Sequence, residues 1–338
     1  ETMLDLNRLL RIKLQTYPKT QKFIAQALLR PNYTFPPRVV LRIENEDRIP
    51  EHPVMFAMNH TDRYNYWPFQ YHRYRCHNRF TATWVKGKYY ESKFVGWFME
   101  HTNNIPTVSR GYLIVRDFLA VVGRRPNDAE YAGLRALVNA CHEGEEDPAT
   151  RLREELRDEV PAAIWQRPRD ILGRAFDPSQ ETYDACICSL YDAMMAQFVN
   201  LNRVAASRHL DLLVFPEGTR SIRLARGRIG AIQMAMHLGL TIVPVGCNGC
   251  DRVYPGSSPV AKGGAITYRV GEPVTPADLA EHTPDEAFVP FSAAATRRHG
   301  PAFQAATDIV MAKINDLLDP RHQYDPEAEA VKSTKRFV

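Results

Sequence analysis

The segment at 215–221, Phe-Pro-Glu-Gly-Thr-Arg-Ser, places a carboxylate, a guanidinium and a glycine in one short turn after an apolar stretch. Gly218 lets the backbone bend where a side chain would obstruct a ligand, and Arg220 can grip a phosphate through two hydrogen bonds. Glu217 can hold a hydroxyl group or orient Arg220. Far upstream, His60 follows another apolar stretch and offers a proton acceptor. These groups suit the transfer of an acyl group from a thioester to a hydroxyl; the alternative is a turn with a surface ion pair.

The bulk composition is that of an ordinary globular protein. The chain has 338 residues, of which 44% are hydrophobic and 24% charged, enough for one large domain or two smaller ones. Its net charge of +4 is too small to identify a partner. Because no basic stripe with interleaved aromatic residues stands out, we do not expect nucleic-acid binding.

Compartment and metal content follow from hydropathy and cysteine usage. No apolar run reaches about 18 residues, so we expect no transmembrane helix, and the amphipathic N-terminal segment does not resemble a secretory leader. Six dispersed cysteines suit reduced thiols in a cytosolic compartment. Cys247 and Cys250 could form half of a zinc site, but no second pair lies nearby, and we expect two thiols at a strand end and no metal.

The first 35 residues predict two amphipathic helices with basic faces. Residues 4–16 follow a helical period until Pro18, and residues 19–30 follow one until Pro31. Such helices can lie in a lipid headgroup layer, where apolar burial and attraction to anionic lipids add. The alternative is a helical hairpin packed on the core with a solvated basic face.

From residue 36 onward, short apolar runs divided by polar segments predict strands, and longer amphipathic segments predict helices. The alternation indicates an α/β fold with a mixed central sheet flanked by helices, in which sites gather at strand ends. The predicted strands are 39–43, 54–58, 80–85, 212–215, 241–245 and 265–270, and the predicted helices are 228–238 and 302–318.

Residues 126–205 interrupt this rhythm and predict an inserted helical subdomain within a catalytic domain spanning 36–320. It could serve as a lid, as an oligomer contact or as decoration. Residues 321–338 form a C-terminal tail. The helices expected in the insertion are 129–141, 150–159 and 182–204.

Four blocks in order resemble the glycerolipid acyltransferase superfamily, which includes the lysophosphatidic acid and glycerol-3-phosphate acyltransferases. The resemblance covers residues 36–120 and 206–280. The blocks are Asn59-His60 leading to Asn65, the strand and arginine at 105–111, the run at 215–221, and the apolar Ile-Val-Pro-Val at 242–245. Weaker agreements are Lys86, Gly230-Ala231 and Gly271-Glu272-Pro273.

The resemblance implies an O-acyltransferase acting on a glycerophospholipid precursor such as lysophosphatidic acid or glycerol-3-phosphate. His60 would be the general base, and Gly218 with Thr219 would shape the pocket. The donor would be an acyl thioester on coenzyme A or acyl carrier protein, with no other cofactor, and the enzyme would be cytoplasmic and peripheral at the inner face of the membrane. The side chains implied in binding the acceptor are Arg110, Glu217, Arg220 and Lys86.

Asn65 stands where the resemblance has an aspartate, and an acidic residue occurs instead at Asp62. Asn65 can orient an imidazole but cannot stabilise an imidazolium by charge. Three interpretations follow: Asn65 suffices, with Asp62 supplying negative charge nearby; Asn65 is a substitution that traps a complex; or the protein binds lipid without catalysis. An acyltransferase acting on a different lipid hydroxyl is a further alternative.

The aromatic residues between 64 and 74 are unusually dense. They could line an acyl channel or form the packed face of one helix, and the two roles are compatible.

Overall fold

The computed structural model describes residues 3–325, and their central layer is a seven-stranded mixed sheet. Its order is β1-β9-β8-β2-β7-β3-β4, and every pairing is parallel except that of β8 with β9. The predicted α/β class with a mixed sheet is therefore confirmed. The strands are β1 Val39–Glu44, β2 Met55–Met58, β3 Thr81–Lys86, β4 Asn104–Thr107, β7 Asp211–Val214, β8 Ile242–Asn248 and β9 Gly264–Val270, and a separate hairpin pairs β5 Arg169–Ile171 with β6 Arg174–Phe176.

Helices cover both faces of this sheet. None within residues 3–325 is long and apolar enough to cross a membrane. The helices are α1 Leu6–Arg11, α2 Lys19–Ile24, α3 Arg30–Thr34, α4 Trp67–His77, α5 Lys93–His101, α6 Arg110–Val122, α7 Asp128–Glu143, α8 Glu146–Glu159, α9 Ala162–Gln166, α10 Tyr183–Ser207, α11 Gly230–Leu238, α12 Cys250–Val253 and α13 Ala293–Asp316.

The N-terminal segment differs from its prediction in two ways. The first helix is only α1, and the chain around it is anchored by buried Leu4, Leu9 and Leu14, which favours the core-packed alternative for this part. The second does not end at Pro31, because that proline lies in the first turn of α3, where a missing N–H is tolerated. A π-helical turn at Ala25–Leu29 joins α2 to α3.

The insertion contains the three predicted helices as α7, α8 and α10, together with α9 and the hairpin, which were not predicted. Its last helix, α10, packs against β4 and β7 and so forms part of the layer covering the sheet. Trp84 of β3 donates to Asn202 Oδ1 at 2.6 Å and packs edge-on against Phe198. Of the predicted tail, 326–338 lies outside the described residues, whereas His322 is buried.

Candidate active site

The site lies where β2, β3 and β7 end side by side. These three strands are parallel neighbours, so the residues that follow them meet at one edge of the sheet. His60 follows β2, Glu217 follows β7, and Lys86 is the last residue of β3. The structure therefore brings together the side chains that the sequence placed at strand ends.

Asn65 holds the His60 ring in one tautomer. The two side chains meet at 3.1 Å, between His60 Nδ1 and Asn65 Oδ1. The Asn65 amide nitrogen donates to the backbone oxygen of Asn59 at 2.7 Å, which fixes the amide with its oxygen towards the ring. Nδ1 therefore carries the proton and Nε2 keeps the lone pair that a general base needs. Phe215 stacks on the other side of the ring, with centroids 4.0 Å apart and planes 13° from parallel.

The turn that carries His60 is tied to the sheet by Asn59. Its side-chain oxygen accepts the backbone N–H of Cys247 at 2.7 Å, and its nitrogen donates to the Cys247 carbonyl at 3.0 Å. The Tyr268 hydroxyl donates to the backbone oxygen of Asn65 at 2.6 Å. Nothing in the sequence indicated these anchors on β8 and β9. A buried amide side chain needs hydrogen-bond partners, and this requirement could have suggested that Asn59 binds backbone groups.

Glu217 is committed to backbone hydrogen bonds. One carboxylate oxygen accepts the N–H of His60 at 2.7 Å, and the other accepts the N–H of Ala225 at 2.8 Å. Burial raises the pKa of Glu217 to about 7, although both hydrogen bonds oppose the rise. The side chain therefore braces the turn after β2 against the turn after β7, a contact that the sequence could not specify.

Gly218 is needed for its backbone conformation. Its φ is +67°, a region that disfavours residues with a side chain, and a Cβ there would lie 3.1 Å from Arg228. Its N–H donates to the Phe215 carbonyl at 2.9 Å and closes the turn. Thr219 follows on the same turn and is partly exposed.

The electrostatic environment keeps His60 neutral. Burial lowers the pKa of His60 to about 3; the hydrogen bond that His60 donates to Asn65 opposes the shift, while the charges of Arg220 and Lys86 add to it. Burial also lowers the pKa of Lys88, and the charges of Arg220 and Arg63 contribute. We call Arg63, Lys86, Lys88 and Arg220 the basic rim. The charges of these cations act on His60 or on one another.

Arg110 points towards the insertion. It is the first residue of α6, and its guanidinium lies over the ring of Tyr191 on α10 at 5.5 Å. Its charge acts on His142 and Asp192, also in the insertion. Within residues 3–325, the described contacts do not bring Arg110 together with Arg220, and the strand expected to end at an arginine ends at Thr107 instead.

Asp62 braces its own turn. Its two oxygens accept from the Thr61 hydroxyl at 2.9 Å and from the backbone N–H of Tyr64 at 2.8 Å. Burial raises the pKa of Asp62, and Cys250 and Asp251 are among its neighbours. These contacts direct Asp62 towards α12 rather than towards the His60 ring.

A small cleft of about 30 Å³ lies beside the site between α2, α4 and α5. Tyr66 lines it and also packs edge-on against Phe215, so the cleft adjoins the ring that stacks on His60. Tyr64 and Phe69 are buried and pack within the core. The aromatic segment thus fills part of the core and also lines a cleft. Other aromatic residues lining it are Trp67, Tyr71, Tyr74 and Phe98.

The segment after Gly218 is held by the C-terminal part of the described chain. Ser221 N–H donates to the His60 carbonyl at 2.9 Å, and Leu224 N–H donates to the His322 carbonyl at 2.8 Å. His322 Nδ1 lies 2.7 Å from the carbonyl of Ile222. His322 therefore positions the loop between Glu217 and Ala225. The sequence did not predict this role, because His322 is a single histidine outside the predicted catalytic domain.

Comparison with known proteins supports an acyltransferase. Residues 190–248, which contain β7, the turn at 215–221 and β8, match the family model described as Acyltransferase. This match confirms the resemblance to the acyltransferases over the segment that contains the turn at 215–221.

One solved structure is similar to this chain. The crystal structure of the 1-acyl-sn-glycerophosphate (LPA) acyltransferase PlsC from Thermotoga maritima shares 14% identity, with 91% of this chain and 87% of that chain covered and a TM-score of 0.38. A TM-score of 0.38 is too low for this superposition to support a conclusion about function. A search of curated proteins gave no significant match.

Proposed function

We propose that this acyltransferase moves a fatty acyl group from an acyl thioester to a hydroxyl of a glycerophospholipid precursor, with His60 as general base. The observation that carries the proposal is the fixed tautomer of His60, whose Nε2 keeps its lone pair on the side of the ring away from Asn65. A lysophosphatidic acid or glycerol-3-phosphate acceptor fits this site because its phosphate group can bind to the cations of the basic rim.

The chemistry needs one base and no covalent intermediate on the protein. Nε2 of His60 takes the acceptor's hydroxyl proton as the oxygen attacks the thioester carbonyl, and the tetrahedral intermediate then collapses. The C–S bond breaks, and the departing thiolate takes the proton back from the imidazolium. The acyl group ends as an ester, and the free thiol of coenzyme A or acyl carrier protein is released.

Asn65 limits the strength of this base. An amide oxygen orients the imidazole but supplies no negative charge to the imidazolium that forms. The lowered pKa of His60 also indicates a weak base, since burial and the neighbouring cations disfavour the charged ring. Catalysis therefore depends on orientation and proximity more than on basicity.

The basic rim is the proposed seat of the acceptor phosphate. Arg220 and Lys86 act on His60 through their charges, and Arg220 also acts on Lys88, which supports a phosphate site near the base. Arg110 is directed to α10 and is not part of this seat. The assignment to a phosphate-bearing acceptor accordingly depends on the rim and not on an Arg110–Arg220 pair.

The proposed location is a membrane surface on the cytoplasmic side. Phe23 on α2 is 71% exposed and Phe94 on α5 is 75% exposed, and these two helices both line the aromatic cleft. Exposed cations accompany them at Lys19 and Lys93. Apolar side chains beside lysines suit insertion into an anionic headgroup layer, which would put the mouth of the cleft against the lipid.

A non-catalytic lipid-binding protein is the second candidate, and the uncharged Asn65 beside His60 favours it. An acceptor panel distinguishes the two. The protein is incubated with labelled acyl-coenzyme A or acyl carrier protein and with glycerol-3-phosphate, lysophosphatidic acid or monoacylglycerol. Product with the phosphate acceptors supports the proposal, product with monoacylglycerol alone supports another lipid hydroxyl, and thioester binding without any product supports the binding protein.

A further inference from the structure

Three side chains with metal-binding atoms converge at the edge of the sheet opposite His60. Glu46 follows β1, whereas His72 and His77 lie on the last two turns of α4. His72 Nε2 lies 2.9 Å from Glu46 Oε2, and His77 Nε2 lies 2.7 Å from Glu46 Oε1. The three ligand atoms all lie within 4.8 Å of one another.

The position of this cluster separates it from the acyl-transfer chemistry. Because β1 runs antiparallel to β2, its end lies at the edge where β2 begins. Helix α4 starts just after the His60 turn and ends at His77, so its 11 residues carry the chain about 15 Å away from the base. A ligand here would act on the scaffold, not on the substrate.

We propose that Glu46, His72 and His77 bind a divalent transition-metal ion, with Zn²⁺ the best match. Two imidazole nitrogens and one carboxylate oxygen are a donor set that Zn²⁺ accepts, leaving a fourth position for water. Ligands about 2.0–2.2 Å from a tetrahedral ion lie roughly 3.3 Å apart. The three donor atoms already lie within 4.8 Å of one another, so shifts of the side chains alone can bring them to this spacing.

The proton balance of binding is simple. In the metal-free cluster each imidazole donates a hydrogen bond from Nε2 to Glu46. When the metal binds, it replaces the proton on Nε2, and that proton moves to Nδ1 of the same ring. Nδ1 of His72 faces the Cys76 sulfur at 3.8 Å, which can accept that proton weakly. Orientation of a ligating histidine through its other ring nitrogen is a general feature of metal sites.

Arg73 is the group that opposes a cation here. Its Nη1 lies 3.6 Å from Glu46 Oε1, but its Nη2 lies 3.7 Å from the buried carboxylate of Asp211. Arg79 also pairs with Asp211, at 2.6 Å. The guanidinium of Arg73 is thus shared between two carboxylates, and Glu46 keeps both oxygens directed at the histidines.

The inferred role is to tie β1 to α4. Side chains of this cluster, together with Arg73, join the segment 46–48 to the end of α4. A metal bond there would fix the helix whose first turn follows Asn65. This inference does not depend on the proposed function, because it concerns binding and stability alone.

The test is titration of chelator-treated full-length protein with ZnCl₂ by calorimetry, and with CoCl₂ by visible absorption. We expect one equivalent to bind, tetrahedral Co²⁺ bands to appear, and the thermal midpoint to rise with free Zn²⁺. His77→Ala, at the exposed end of α4, should weaken binding at least tenfold while leaving the metal-free midpoint nearly unchanged.

Two control variants complete the design. Cys76→Ser should bind Zn²⁺ as the parent does, and so should His52→Ala, which removes an exposed histidine outside the cluster. Binding that is lost in Cys76→Ser but kept in His77→Ala would overturn the proposal, and so would the absence of any binding to the folded parent. A Zn²⁺-induced rise in midpoint that persists in His77→Ala would also overturn it.

Discussion

The carboxylate of Glu217 accepts the backbone N–H of His60 at 2.7 Å, so the turn after β7 holds the turn that carries the base. The same carboxylate accepts the N–H of Ala225 at 2.8 Å. Substitution at Glu217 should therefore affect the folded state as well as catalysis. The structure gives this residue a bracing role, and the acceptor contact expected from the sequence stays a prediction.

The raised pKa of Glu217 predicts a pH-dependent stability. Because the folded pKa of about 7 exceeds the ordinary 4.5, the folded state binds more protons than the unfolded state between these values. The contribution of Glu217 to the free energy of unfolding should then decrease as pH rises from about 4.5 to 7, by on the order of 3 kcal/mol.

Urea unfolding of the parent and of Glu217→Gln at pH 5 and pH 8 checks this. The difference in unfolding free energy, parent minus variant, should be smaller at pH 8, because the variant carries no titrating group. Glu281→Gln, on an exposed turn, is the reference variant and should give the same difference at both pH values. A Glu217→Gln difference that stays constant or grows with pH would contradict the assignment.

Asn65→Asp should make His60 a stronger base. A carboxylate beside Nδ1–H favours the imidazolium and raises the pKa of His60 above its present value of about 3. At pH 8 we expect kcat to rise about tenfold or more, since the corresponding carboxylate of the serine-protease triad is worth about 10⁴. The variant loses the hydrogen bond to the Asn59 carbonyl, so its stability should decrease by about 1–3 kcal/mol.

The pH profile of Asn65→Asp gives an independent readout. Neutral His60 is the active form, so kcat/KM of the parent should not decrease as the pH falls through 6.5. For Asn65→Asp, kcat/KM should begin to decrease at a higher pH than it does for the parent. A folded Asn65→Asp protein with lower kcat and an unchanged profile would show that Asn65 does not act through His60.

Substitution of Arg220 and substitution of Arg110 should have different effects on the kinetics of acyl transfer. Arg220→Ala should lower kcat/KM for a phosphate-bearing acceptor by about 10- to 100-fold, mainly through KM, because a charge-assisted hydrogen bond is lost. The same variant should leave a phosphate-free acceptor unaffected. Arg110→Ala is the matched control, since its guanidinium lies over Tyr191, and it should leave acceptor KM unchanged. The reverse pattern would place the phosphate at Arg110.

Membrane association should depend on two kinds of side chain around the cleft. Phe23→Ser with Phe94→Ser should weaken binding to neutral and anionic vesicles alike, whereas Lys19→Glu with Lys93→Glu should weaken binding to anionic vesicles alone, by about fivefold or more per lysine. Val289→Ser, 70% exposed elsewhere, is the control and should change neither. Vesicle co-sedimentation measures all three. Deletion of residues 1–31 is unsuitable, because buried Leu4, Leu9 and Leu14 would be lost from the core.

The sequence sufficed for residues whose position depends on strand order. His60, Glu217 and Lys86 each end an apolar run, and parallel pairing of β2, β3 and β7 brings their side chains together. The alternation of short apolar runs and amphipathic segments likewise predicted every strand of the sheet except β4, and the helices α11 and α13, but it did not predict α5 or α6. Local periodicity carries this information because burial imposes it on every strand.

The direction in which a side chain points could not be predicted from the sequence. Arg110 is adjacent to the right strand, but Ser109 caps α6 and the guanidinium turns towards Tyr191 on a helix 81 positions away. Asp62 lies two residues from His60, yet its oxygens are used by Thr61 and Tyr64. These outcomes depend on tertiary partners that periodicity does not encode.

The central claim is that His60 removes the acceptor's proton, and one comparison tests it most directly. Parent and His60→Ala proteins, matched for folding by circular dichroism and thermal midpoint, are assayed for transfer of labelled acyl chain from acyl-coenzyme A to lysophosphatidic acid. We predict that the parent forms product and that His60→Ala loses about 10²–10⁴-fold in kcat while still binding the thioester. Full turnover by a folded His60→Ala protein would contradict the account.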